Sequence, residues 1–249
     1  MNPLIIALTM WAVVFGGALV GLWLQKVLPE HHLSPETKDV VRLSTALIAT
    51  ISALVLSLLV SSAKSSFDRF DNELTQNAAK VVMLDRALDE YGPPANDIRA
   101  LLKAGYTRRI QQLFADTDTA ASPLAITQEE DIDSRIYALA PQGLVQEGLK
   151  ARAVGLNADI NTTRALIHTQ RYDSIPTDLL IVLGVWLSLI FTTFGLFAPR
   201  NAVVVGALLL CSISASGAVF LILEMNSPFT GLITISGAPM YDALHFLNQ

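Results

Sequence analysis

The chain has 249 residues, of which 52% are hydrophobic and only 16% are charged, and its formal net charge is −5. This small negative charge offers no basic surface for nucleic acid, so nucleic-acid binding is not expected. The single cysteine, Cys211, excludes an intrachain disulfide and a cysteine-ligated metal cluster.

Four stretches of the chain are uncharged, and each is about long enough to cross a bilayer. A helix needs about 20 mostly apolar residues to cross a hydrocarbon core about 30 Å thick. The stretches cover residues 3–24, 43–63, 179–198 and 202–223. They predict an all-α integral membrane protein with a first hairpin at 1–64, a helical soluble domain at 65–176, a second hairpin at 177–224 and a tail at 225–249. No positively charged segment precedes the first stretch, so we expect a retained span and not a cleaved signal peptide.

The first hairpin contains signals for helix packing and for the start of the second span. Gly17 and Gly21 follow the small-x-x-x-small pattern that lets membrane helices approach closely. The Ser34-Pro35 pair is typical of a helix start. Residues 38–91 include neither glycine nor proline. One helix is therefore predicted to run through the second span and out of the bilayer, as far as the Gly-Pro-Pro break at 92–94.

The segment between the hairpins is expected to be helical. Apolar residues at helical spacing predict helices at 96–115, from Thr127 to a break near Pro141, and at 142–170. The Thr127 helix begins with a capping-box pattern, and residues 116–126 are interpreted as a loop. The tail after Glu224 is punctuated by proline and glycine, and it is too irregular for a fifth span.

One face of the second span is small and polar along its whole length. At 100° per residue, one side of the helix carries Ala46, Thr50, Ala53, Ser57, Ser61, Lys64 and Asp68. The opposite side carries Ile48, Val55 and Leu59. Small hydroxyl residues let helices pack closely and hydrogen-bond to each other. They also line water-filled pathways, where they replace part of an ion's hydration shell. The sequence leaves both interpretations open.

Two aromatic residues follow this face one turn further along. Phe67 and Phe70 are candidates for an apolar constriction that gates an oligomer by dewetting. They are equally suited to the first core layer of the soluble helical domain.

Polar residues at the end of the fourth span are a second candidate site. A carboxylate at membrane depth is costly, so Glu224 is expected to have a partner or to face water. The partner expected at this interface is a lysine, an arginine or a helix N-terminus. Coordination of an ion by Glu224 and Asn226 is the alternative.

The sequence carries no pattern for enzymatic chemistry. It has no phosphate-binding loop, no zinc-protease helix motif and no nucleophile elbow. His31 and His32 are adjacent, so a helix does not direct both toward one metal ion. We therefore expect no enzyme, no metal site and no cofactor.

Several segments resemble the bacterial bestrophin-like family of unknown function, which is distantly related to the bestrophin channels. They are LPEHHLS at 28–34, DVVRL at 39–43, ALVLSLL at 53–59, SAKSSFD at 62–68, FGLFAPRN at 194–201, FLILE at 220–224 and PFTGLITIS at 228–236. The resemblance covers both hairpins and the tail, whereas the soluble middle is similar only in length and helicity.

The resemblance implies a function for the chain. Bestrophins are pentameric anion channels with four spans per subunit, a cytosolic soluble domain and a pore lined by the second span. Carried to this sequence, the pore-lining residues are Thr50, Ala53, Ser57, Ser61 and Lys64. Residues 64–178 and both termini would lie in the cytoplasm of a bacterial inner membrane. Counting lysine and arginine near the span ends gives four against five, which does not orient the chain.

Two features separate this sequence from animal bestrophins. Its second span lacks an aromatic cluster like their hydrophobic neck, and Phe67 and Phe70 are the nearest substitutes. It also has no acidic run like their calcium clasp, so calcium gating is not implied.

The leading hypothesis is a homo-oligomeric channel in the lipid bilayer for small inorganic ions, and for anions in particular. The alternative is a non-conducting membrane scaffold or sensor whose cytoplasmic helices bind a partner. A lipid-binding or transport accessory is a third hypothesis.

Overall fold

The computed structural model describes residues 3–28, 35–114, 123–170, 177–226 and 231–249. Within these ranges the chain forms eight α-helices and no strand. The helices are α1 (Pro3–Val27), α2 (Pro35–Tyr91), α3 (Asn96–Phe114), α4 (Pro123–Ala138), α5 (Leu144–Gln170), α6 (Thr177–Phe197), α7 (Ala202–Met225) and α8 (Ala238–Leu247). The all-α prediction is confirmed.

Four of these helices are long and apolar enough to cross a membrane: α1, α2, α6 and α7. They contain the four predicted spans. The chain divides into two compact units. The membrane unit comprises Met1–Phe67 and Ser174–Ile233, and the polar unit comprises Asp68–Asp173 and Thr234–Gln249. The segment expected as a tail, 225–249, contributes residues to both units.

Helix α2 is a single uninterrupted helix of 57 residues. At a rise of 1.5 Å per residue it is about 85 Å long, nearly three times the thickness of a hydrocarbon core. It ends at Tyr91, as the sequence predicts, because Gly92 adopts a φ of 100°. A 3₁₀ turn at Pro93–Ala95 then leads into α3. Helix α2 therefore contributes its first part to the membrane unit and its last part to the polar unit.

The polar unit is a helical bundle with a continuous apolar core. The last part of α2 buries the apolar residues Leu74, Ala78, Val81, Leu84 and Leu88. Helix α3 packs against α4 and α8, and α4 packs against α5. Their buried residues include Ile98, Leu102, Ile110, Ile136 and Ile160. These buried residues form the interior of the polar unit.

An ion-pair network holds the turn between α2 and α3. The Arg99 guanidinium donates hydrogen bonds to both carboxylate oxygens of Asp85, at 2.9 and 3.0 Å, and also to Asp89. The hydrogen bond with Asp85 raises the pKa of Arg99 above its ordinary value, so its charge is permanent. Because Asp85 is 9% exposed, this pair links the two helices where little water screens it.

One helix start and one additional helix differ clearly from what the sequence predicts, whereas the other helix ends differ by a few residues at most. Helix α4 begins at Pro123, four residues before Thr127, because proline has the backbone angle that the first helical turn requires. The tail contains the ten-residue helix α8, whose Tyr241 ring lies 6.3 Å from the ring of Phe114 on α3. Helix α8 is too short to span a bilayer.

Glycines bring α1 and α6 into backbone contact within the membrane unit. A Cβ atom added at Gly17 would lie 2.7 Å from the Ser188 carbonyl oxygen, and one added at Gly21 would collide with the Thr192 carbonyl. On the facing helix, a Cβ at Gly195 would collide with the Ala18 carbonyl. The predicted close approach at Gly17 and Gly21 is confirmed, and α6 is the partner helix.

Candidate functional site

The small polar face of α2 is exposed along the whole membrane unit. Thr50, Ala53, Ser57, Ser61 and Lys64 are all exposed. The opposite side of the helix carries the buried residues Thr45, Ser52, Leu59 and Ala63. Leu59 and Ala63 belong to an apolar cluster with Leu183, Val219 and Ile222. Helix α2 therefore packs onto its own chain through the side opposite the polar face.

This placement limits the two interpretations that the sequence leaves open. Among the described residues, no other helix of the same chain covers the exposed part of the face from Thr50 to Lys64. Its hydroxyl groups are partly satisfied locally, because Thr50 Oγ1 donates a hydrogen bond to the Ala46 carbonyl oxygen at 2.9 Å. Water, lipid or another copy of the chain is what this face can meet.

Charged residues lie at both ends of the polar face. At the end near the polar unit, Lys64 Nζ lies 5.8 Å from the centre of the Phe67 ring, within the range of a cation–π interaction. At the other end, Arg42 lies two turns before Thr50 and pairs with Asp39 at 3.9 Å. Both members of that pair are mostly exposed. Each end of the face thus presents a cation with a carboxylate beside it, Asp39 next to Arg42 and Asp68 one turn beyond Lys64.

The two phenylalanines of the candidate constriction have different surroundings. Phe70 is only 6% exposed and belongs to the polar unit, as expected for a core layer. Phe67 is half-buried and belongs to the membrane unit. Of the two, only Phe67 has a surface with which it could narrow a pathway.

A cavity that the sequence does not reveal lies between α2 and α6. Its volume is about 580 Å³. It is lined by Arg42, Thr45, Ala46, Ala49, Thr193, Phe194, Phe197 and Ala198. Periodicity within one helix does not indicate which other helix it faces, so no sequence signal locates this cavity. It connects Arg42 with the beginning of the polar face.

Glu224 has a different partner from those expected. Its side chain is 4% exposed, and Oε2 accepts hydrogen bonds from the backbone N–H groups of Leu232 at 2.6 Å and Ile233 at 3.3 Å. Gly231 permits this approach, since it adopts a φ of 116° and a Cβ there would collide with the carboxylate. The sequence contains Gly231 but does not reveal its positive φ, so sequence reasoning did not find this contact. Asn226 ends α7, and its N–H donates to the Ile222 carbonyl oxygen at 3.2 Å.

Replacing Glu224 with alanine is expected to release the segment after Gly231. The substitution removes the acceptor of two partly buried N–H groups, and the loss of a hydrogen bond to a charged group costs about 1.5–3 kcal/mol. Hydrogen exchange at Leu232 and Ile233 should rise at least tenfold. Glu224→Gln keeps an acceptor and should show a smaller rise. Equal protection in the wild type and in Glu224→Ala would contradict this assignment.

The described residues include no group of three histidine, cysteine or acidic side chains that could hold a metal ion. His31 and His32 lie outside the described residues. Cys211 is exposed on α7.

Comparison with known proteins assigns the fold and the family. Among curated protein sequences, none matches this chain. A family model described as the bestrophin-like domain matches residues 12–240. Crystal structures of bacterial bestrophin homologue variants from Klebsiella pneumoniae share the fold. One is 16% identical with a TM-score of 0.68, covering 100% of this chain and 98% of that one. Another is 15% identical with a TM-score of 0.67, covering 94% and 97%. The chain is an integral membrane protein that belongs to the bestrophin-like family.

Proposed function

We propose that the protein is a homo-oligomeric ion channel in which the polar face of α2 surrounds the central axis. One observation supports this most strongly: Thr50, Ala53, Ser57, Ser61 and Lys64 are all exposed, although they lie on a membrane-spanning helix. Serine and threonine are poorly matched to lipid compared with the leucines beside them. In a ring of several copies this face would line a water-filled pore, and the packing within each chain would stay the same.

The residues beside the polar face fit an assembly of several copies. Leu43, Leu47, Leu54 and Leu58 flank the face and are 64–73% exposed. In a ring they would occupy the seams between neighbouring α2 helices, where an apolar contact is needed. The resemblance to bestrophins makes five the expected number of copies.

We propose that anions are the permeant ions. Arg42 and Lys64 place a cation at each end of the face, and every added copy repeats them around the axis. Rings of basic side chains raise the local concentration of anions. Thr50 donates its hydrogen bond to its own helix, so its hydroxyl would have to rotate before it could donate to an ion.

The orientation of the chain in the membrane is part of this proposal. The resemblance places the polar unit and both termini in the cytoplasm of a bacterial inner membrane. No catalytic chemistry is proposed.

The proposal is tested by the access of water to α2. We expect single cysteines at Thr50, Ser57 and Ser61 to react with a hydrophilic methanethiosulfonate reagent. The native Cys211 is exposed, so it is first replaced by serine. Ser52→Cys is the matched control, because Ser52 lies on the same helix at the same depth but is 3% exposed inside the chain. Labelling is measured by mass spectrometry of protein in liposomes.

The outcomes distinguish the hypotheses. Labelling at the three positions at least tenfold faster than at Ser52 supports a water-lined pathway. If the three cysteines stay as unreactive as the control, the pathway does not exist. Native mass spectrometry adds the subunit number, because a monomer would leave the polar face without an axis to line.

The second hypothesis, a non-conducting scaffold or sensor, is favoured by one feature of the polar unit. Tyr137, Leu144 and Val145 are 64%, 87% and 78% exposed at the junction of α4 and α5. Large apolar side chains grouped at a surface are typical of a protein contact. This hypothesis expects a monomer or dimer in detergent that does not conduct in planar bilayers.

A further inference from the structure

A second cavity lies where α1 ends and α7 begins. Its volume is about 380 Å³, which is within the range of sites for small molecules. It is lined by Leu22, Trp23, Lys26, Arg200, Asn201, Ala202 and Val205. All of these residues lie at span ends, so the cavity is at the level of the lipid headgroups.

Neutral groups hold Arg200 in place beside the cavity. Its Nε donates to the Gln25 side-chain oxygen at 3.0 Å, and one terminal nitrogen donates to the Leu22 carbonyl oxygen at 3.1 Å. The Gln25 amide in turn donates to the Ala198 carbonyl oxygen at 3.3 Å. A guanidinium has five N–H groups in a fixed fork. Arg200 is therefore held in place by neutral groups. Its positive charge and its remaining N–H groups are available to a ligand.

The other groups of the cavity reinforce this positive charge. Lys26 is exposed, and among the described residues no carboxylate forms an ion pair with Lys26 or Arg200. The N-terminus of the 24-residue helix α7 contributes Asn201 and Ala202 to the wall. Asn201 Oδ1 accepts a hydrogen bond from the Val204 N–H at 2.8 Å, and the N–H groups of the first turn before Val204, together with the helix dipole, favour an anion. Trp23 is 60% exposed, as is common for tryptophan at the interface between membrane and water.

We propose that this cavity binds a phosphate group, carried at the bilayer surface by an anionic phospholipid. Arginine forms forked hydrogen bonds with phosphate oxygens, lysine adds a mobile charge, and the tryptophan ring lies against the lipid. The site is separate from the polar face of α2 and does not depend on conduction.

The test compares lipids by native mass spectrometry of the full-length protein. Phosphatidylglycerol and phosphatidylcholine are added in equal amounts, and retained lipid is counted per subunit. We expect the wild type to retain phosphatidylglycerol about tenfold better. The double variant Lys26→Gln with Arg200→Gln should lose this preference, because two cations near a headgroup account for a change of about tenfold or more. Lys38→Gln removes a cation from the same side of the membrane, outside the cavity, and should keep the preference.

Further arms identify the source of the phosphate and guard against misfolding. Lys26→Glu alone should also abolish the preference, and Lys26 makes no hydrogen bond to the described residues that this change could break. If millimolar inorganic phosphate displaces the lipid, the site also accepts soluble phosphate; if phosphate has no effect, the site is specific for the lipid. Equal retention of both lipids by the wild type, or an unchanged preference in both cavity variants, would overturn the proposal.

Discussion

Replacing Gly195 with alanine is expected to destabilise the membrane unit strongly, as is the same change at Gly21 on the facing helix. The new Cβ would lie well inside 3.0 Å of the Ala18 carbonyl oxygen and 3.0 Å from the Leu22 nitrogen. Both atoms belong to the backbone of α1, so no side chain can rotate away. Helices α1 and α6 would have to separate, at a cost of about 3 kcal/mol, the upper end of the range for overpacking.

Two control substitutions separate the clash at Gly195 from the general effect of replacing glycine with alanine in a helix. Gly206→Ala introduces the same methyl group on α7, where a Cβ would meet nothing within 4 Å. Gly16→Ala does the same on α1. The thermal midpoint in detergent, followed by fluorescence-detected size exclusion, should fall for Gly195→Ala and stay unchanged or rise for both controls. A Gly195→Ala protein as stable as Gly206→Ala would refute the observed crossing of α1 and α6.

Replacing Ser57 with tryptophan is expected to reduce conductance at least tenfold. Ser57 lies in the middle of the exposed face of α2, and in a ring every copy would contribute one indole at the same depth. The added volume would block the axis, whereas the fold should tolerate it because the side chain points away from the chain's own core. Single-channel recording in planar bilayers with a chloride gradient measures the effect.

Ser57→Ala is the matched control for this substitution. It removes the hydroxyl group without adding volume, and conductance should stay within a few-fold of the wild type. Native mass spectrometry of both variants shows whether the assembly is intact. If a correctly assembled Ser57→Trp protein conducts as well as the wild type, α2 does not line the pathway.

The long helix and the packing glycines could be predicted because their signals are local. The absence of glycine and proline between Lys38 and Tyr91 defines α2, and the spacing of Gly17 and Gly21 identifies a close helix contact. The start of α4 at Pro123 was missed because a polar, alanine-rich segment outweighed the proline signal. The fixed φ of Pro123 suits the first helical turn, and it determines where α4 begins.

The candidate site could be predicted only in part, because its surroundings come from distant segments. Helical periodicity grouped Thr50, Ser57 and Ser61 on one side of α2, but it did not reveal whether that side faces the chain's own bundle. The partner of Glu224 is the backbone of Leu232 and Ile233, and backbone donors leave no mark in the sequence. The cavity beside Arg200 likewise forms from residues that lie about 175 positions apart.

Because α2 is not interrupted, the residues along it keep fixed angles to one another around the helix axis. Within the membrane unit, no glycine or proline interrupts α2 between Lys38 and Phe67, so the direction in which Thr50 points fixes the direction in which Ser61 points. One inserted residue would turn everything beyond it by about 100°, whereas seven residues would restore the alignment to within about 20°. The part of α2 within the membrane unit can therefore change in length by near-whole heptads and still keep its small polar residues on one side.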